Sequence, residues 1–142
     1  MPRQTARIAA TLTALALAAC ATGPSTPAGR LAGTAWRAES IDGRPATDPQ
    51  NPSTLRFFDR QLAGGSLGCN AYSTTFFADA AGLRFGELAP SRRQCAAPVM
   101  EQESRFSAVL TATRNSRIDD KGALLLLDED GKVRGRMLPM TP

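Results

Sequence analysis

A chain of 142 residues, 21% charged and 42% hydrophobic, offers one domain of ordinary size. Its formal charge is +4, but Arg3 and Arg7 lie in a segment expected to be removed, and 4 minus 2 leaves +2. So small an excess excludes a nucleic-acid partner as the natural reading. The absence of histidine removes the usual general base of a serine or cysteine nucleophile, together with the commonest metal ligand.

In chain order, Arg3 and Arg7 form a positive n-region and Ile8 to Ala19 is a largely apolar run. That run is shorter than the roughly 20 apolar residues a bilayer span needs. Leu17-Ala18-Ala19-Cys20 resembles the bacterial lipobox, which implies cleavage before Cys20 and acylation of its thiol. The alternative is an ordinary secretory signal with a chance cysteine. Two or more acyl chains give stable anchoring. Ala21 replaces the aspartate that often signals inner-membrane retention, so the expected location is membrane-anchored, periplasm-facing and at the outer membrane. The expected organisation is a signal peptide at 1–19, a lipidated cysteine with a Gly/Pro/Ser/Thr-rich tether at 20–30, and a folded domain at 31–142.

From Leu31 onward the pattern predicts short strands. Thr34 to Ile41 ends at Asp42-Gly43, a hairpin signal, and Asp48 to Ser53 reads as loop. Leu55 and Phe57 alternate with Arg56 and Phe58, and Phe76 and Phe77 lead through Asp79-Ala80-Ala81-Gly82 to Leu83 and Phe85 on one face. Pro98 to Ala112 is the one predicted substantial helix, with Val99, Phe106, Val109 and Leu110 as its stripe and Glu101 and Glu103 toward the positive end of its dipole. Ile118, Ala123 to Leu127 and Val133 to Leu138 read as three strands joined by the turns Asp119–Gly122 and Asp128–Gly131. The expected fold is mainly β: a small antiparallel β-barrel-like domain with one packed α-helix.

With Cys20 acylated, Cys69 and Cys95 remain as an even pair in an exported domain, predicting a disulfide. Its loop of about 27 residues would contribute about 3.5 kcal/mol in the chain-entropy view. Two buried free thiols are the alternative. Few constellations suggest chemistry. Glu101 and Glu103 are two apart on a helix and point in different directions. Gly64-Gly65-Ser66-Leu67-Gly68 lacks the Gly-Lys-Ser/Thr of a phosphate cradle and reads as a bulge or a sharp bend at a barrel corner. Asp128-Glu129-Asp130 lacks the other ligand positions of a calcium loop and reads as a turn. No catalytic residue, metal site or cofactor is predicted. Arg92 and Arg93 form a candidate anion-binding spot, against the plainer reading of two solvated arginines. Asn70 fits a turn position, bonding nearby backbone and tolerating positive φ, with ligand contact as a secondary role. Trp36 is assigned to the core.

Trp36 with Ile41-Asp42-Gly43, Leu55-Arg56-Phe57, Gly68-Cys69-Asn70, Leu83-Arg84-Phe85, Cys95, Met100-Glu101-Gln102-Glu103 and Leu126-Leu127-Asp128 together resemble the META domain, also called HslJ-like. The match runs from about Leu31 to Leu138. The resemblance implies a compact antiparallel β-barrel-like fold with one helix, often in an exported lipoprotein. Members have been linked to heat-shock response, antibiotic tolerance and secretion-related traits without an established enzymatic reaction. The loop Ser91-Arg92-Arg93-Gln94 departs from the family's Thr-x-Met-x-Cys pattern. The leading functional expectation is a non-enzymatic envelope lipoprotein, held by membrane lipid through Cys20, that binds an envelope protein or supports tolerance of heat and antibiotics. The alternatives are a periplasmic inhibitor or small-ligand carrier with a barrel-mouth site and, least favoured, an enzyme using convergent carboxylates or a thiol.

Overall fold

The computed structural model describes residues 28–46 and 48–141; the expected signal peptide, Cys20 and residues 21–27 of the expected tether lie outside them. A helical turn α1 (Ala28–Leu31) leads into β1 (Ala35–Ile41) and its two-residue partner β2 (Arg44–Pro45). Then come β3 (Thr54–Phe57), β4 (Leu62–Ser66), β5 (Ala71–Asp79), β6 (Gly82–Phe85) and the short β7 (Ala89–Pro90). The main helix α2 (Ala97–Ala112) precedes β8 (Asn115–Ile118), β9 (Leu124–Leu127) and β10 (Val133–Pro139).

The main sheet runs β6-β5-β4-β3-β1-β10-β9-β8, every neighbouring pair antiparallel. It curls until β6 meets β8, where the Leu83 amide donates to the Arg114 carbonyl at 3.1 Å. A nearly closed barrel leaves little open edge for a foreign strand. Gly82 makes the seam: its φ is +131°, and a Cβ there would sit 2.0 Å from the Arg114 carbonyl oxygen. Only glycine fits both constraints.

Alternation selects the inner face. In β3 Leu55 and Phe57 are buried while Arg56 is exposed, and in β5 Tyr72, Thr74 and Phe76 point in. Phe57 and Phe76 meet edge to face with centroids 4.8 Å apart. The expected stripe of α2, Val99, Phe106, Val109 and Leu110, is buried, and so is Gln102, whose amide donates to the Asn51 carbonyl and the Ser53 hydroxyl. Helix α2 therefore closes one end of the barrel. That end is marked by the starts of β3, β5, β8 and β10, and α1 lies at the other, where Leu31 is fully buried.

Four expectations need adjustment. Helix α2 starts one residue before Pro98, and its first turn holds no acidic residue, so Glu101 and Glu103 sit beyond the reach of the terminal dipole. Residues Ala28 to Arg30, expected as tether, belong to α1, because Ala28 packs against the core. The Gly64-Gly65 stretch does not bulge against β5, with which β4 stays in register from Leu62 to Ser66. Its glycines allow close approach instead: a Cβ on Gly65 would lie 2.4 Å from the Thr54 carbonyl oxygen. Finally, Asn70 does not adopt positive φ; among the described non-glycine residues only Asp42 does, at 52° in the β1–β2 hairpin.

Candidate functional site

At the helix-closed end, the turn before β5 and the loop before α2 are tied into one unit. Cys69 and Cys95 form a disulfide across 26 residues, with Cα atoms 5.9 Å apart. Beside it Asn70 is buried, and its amide is saturated. Nδ2 donates to the Arg93 carbonyl at 3.0 Å and to Glu103 Oε1 at 2.7 Å; Oδ1 accepts from the Arg93 amide at 2.6 Å and the Ser91 hydroxyl at 3.0 Å. Glu103 Oε2 reaches from α2 to accept the backbone N–H groups of Asn70 and Cys69, at 2.7 and 3.1 Å. A carboxylate with three donors from one turn is a strong, charge-assisted clamp.

The sequence-predicted residues thus take different parts. Asn70 is turned inward and its amide is spent on Arg93, Ser91 and Glu103, which leaves it no hydrogen bond for a ligand. Arg92 and Arg93 are brought to the same loop with exposed side chains, while the Arg93 backbone is held at both its N–H and its carbonyl. Not singled out from sequence are Glu103 as the clamp and Ser91, whose hydroxyl donates to Asn70 on its outer side. The signal lay in the order Gly68-Cys69-Asn70, Cys95, Met100-Glu101-Gln102-Glu103, but only the fold shows which glutamate turns inward. Glu101 instead faces Arg44 at 3.4 Å in an exposed pair.

The acidic turns are likewise self-contained. Asp128 Oδ1 accepts the amides of Asp130 and Lys132, and its Oδ2 pairs with Arg134 at 3.3 Å. Asp119 Oδ1 accepts the amides of Lys121 and Ala123, and its Oδ2 pairs with Arg136 at 2.9 Å. The Ala123 amide does most to hold the Asp119 carboxyl below its ordinary value. For Asp128, partial desolvation opposes ionisation and is outweighed by the Lys132 amide and Arg134. Arg134 also reaches Asp42 at 2.7 Å, and Arg136 reaches Glu39. No group of three or more Cys, Asp or Glu among the described residues is disposed to hold a metal. Burial pushes the Tyr72 phenol far above its usual range, and its hydroxyl donates to the Thr54 carbonyl at 3.1 Å, as befits a structural tyrosine.

A cavity of about 420 Å³ opens at the opposite end, lined by Thr34, Trp36, Arg56, Phe58, Pro139 and Met140 among others. Its volume lies in the range of small-ligand sites. Trp36 is buried in the core as expected, with Nε1 donating to the Thr34 hydroxyl at 2.7 Å.

A family model described as META domain matches residues 29–139. No curated protein matches the chain at a significant level. Two solved structures are similar in fold. A protein from Burkholderia xenovorans, determined by NMR, is 23% identical with a TM-score of 0.64, covering 95% of this chain and 100% of that one. A second NMR structure is 23% identical with a TM-score of 0.61, covering 79% and 92%.

Proposed function

The chain belongs to the META domain family, and we propose that this member is an outer-membrane lipoprotein, tethered through acylated Cys20 and facing the periplasm, that works by contact with an envelope protein rather than by covalent chemistry. The observation that carries the reading is the clamped loop. A disulfide and a buried asparagine, itself held by a helix glutamate, fix residues 91–95, and what that loop displays is the exposed pair Arg92 and Arg93. A rigid loop lowers the ordering cost of association, and two guanidinium groups suit a carboxylate-bearing protein surface. The stress roles linked to other members of the family support an envelope-maintenance role.

Cross-linking in cells from position 94 tests the contact. A partner is expected with the natural chain and lost in an Arg92→Glu/Arg93→Glu double variant of unchanged stability; an unaltered cross-link pattern counts against it. Deleting the gene should lower tolerance of heat, novobiocin or detergent, and unchanged tolerance of all three would contradict the stress role. The cavity at the other end favours a second reading, a carrier of a small apolar ligand. Co-purification of such a molecule, with Trp36 emission changing on its removal, would identify that role.

A further inference from the structure

Six large hydrophobic side chains are exposed among the described residues, and five of them lie at one end of the barrel. Because every strand pair is antiparallel, the starts of β1, β4, β6 and β9 and the ends of β3, β5, β8 and β10 share that end. Phe58 follows the end of β3, Leu62 begins β4, Phe77 is near the end of β5, Ile118 ends β8 and Met140 follows β10. Only Val133 is elsewhere. Phe58 and Phe77 are 59% and 60% exposed. Spread over five strands, the five surround the barrel mouth instead of forming a patch on one wall. A ring around an end meets a plane better than it meets a groove.

The tether leads from the same end. Helix α1 starts at Ala28 and its chain enters β1 there, with the Gly33 amide bonded to the Phe57 carbonyl at 2.7 Å. From Cys20 to Ala28 is 28 minus 20, eight residue steps, or at most about 28 Å. From these observations we infer that the apolar rim of Phe58, Leu62, Phe77, Ile118 and Met140 seats the domain on the bilayer surface to which Cys20 is tethered. The inference rests on the lipid-anchor reading and adds an orientation to it. Phenylalanine, leucine, isoleucine and methionine enter the boundary between headgroups and acyl chains readily, and the cavity lined by Phe58 and Met140 then opens toward lipid. Charges at this end are mixed, with Asp59 beside Arg60 and Asp120 beside Lys121, so the contact is apolar and insensitive to salt. Seated this way, the domain holds the Arg92-Arg93 loop at its far end, in the aqueous phase where a protein partner approaches.

The test uses the product of the whole gene as cells process it, purified without selection for lipidation and reconstituted into phosphatidylcholine vesicles, with or without brominated acyl chains. Trp36, the single tryptophan, lines the cavity at this end and reports lipid contact. Brominated lipid is expected to quench Trp36 emission, equally at low and high salt. A Phe58→Asp/Phe77→Asp double variant, altered only at exposed positions, is expected to float with the vesicles, melt at the natural temperature and lose most of the quenching. Equal quenching in both proteins, or none in a natural protein that floats, overturns the seat and leaves the anchor standing. Failure of the natural protein to float, with behaviour matching a Cys20→Ser variant, overturns the anchor and the seat with it.

Discussion

At Asn70, four side-chain hydrogen bonds converge on a group shielded from water. Truncating it would strand the Arg93 backbone and one Glu103 oxygen. Asn70→Ala is therefore expected to lower stability by about 2–3 kcal/mol, measured by urea unfolding. Glu103→Gln keeps the shape but loses the ionised acceptor of the Cys69 and Asn70 amides, with an expected loss of about 1.5–3 kcal/mol. Glu101→Gln is the control. Its partner Arg44 is exposed, and such pairs contribute no more than about 1 kcal/mol. Equal effects of the two glutamate substitutions would contradict the assignment of Glu103 as the clamp.

Among the elements, the β6–β8 seam and the Cys69–Cys95 link hold the barrel shut and the loop in place. Gly82→Ala forces a Cβ onto the Arg114 carbonyl at a positive φ, with an expected loss of more than about 1 kcal/mol on thermal unfolding. Without reductant, Cys69 and Cys95 in the unfolded chain should resist thiol labelling, and reduction should remove about 3.5 kcal/mol of stability. The β1, β3, β5, β6 and β8–β10 strands were legible in the sequence because local alternation and Gly/Asp turns mark them directly. So was the stripe of α2, whose spacing from Val99 to Leu110 is local. Less legible were features set by residues far apart in the chain. Nothing near Gly82 announces the Arg114 carbonyl, and nothing near Glu103 tells that it, unlike Glu101, faces Asn70 some 33 residues away. The apolar rim is illegible for the same reason, since its five members come from five strands.

For the whole molecule, the carboxylates of the tight turns tie stability to pH. Asp48, Asp59, Asp119 and Asp128 are all held below their ordinary value by hydrogen bonds to turn amides and side chains. For a lowered carboxyl, the folded state binds fewer protons than the unfolded chain at mildly acid pH. The stabilisation is therefore complete above the unfolded value of about 4 and is lost as pH falls through the lowered folded values. Melting temperature should be flat in this respect above about pH 5 and fall below about pH 4. An Asp119→Asn variant should show a shallower fall; an unchanged slope would remove Asp119 from the account.

In the proposed function the two ends of the barrel divide the work. One carries the apolar rim and receives the chain that leads from Cys20, the tether of the proposed anchor; the other carries a loop stiffened by disulfide and clamp that displays Arg92 and Arg93. Both assignments depend on the chain being exported, cut before Cys20 and acylated. Intact-mass measurement of the protein extracted from cell membranes decides this most directly. The account predicts a chain beginning at Cys20 with the added mass of a diacylglyceryl group on its thiol. A product that still begins at Met1, or one with a free Cys20 thiol recovered from the soluble fraction, would contradict it.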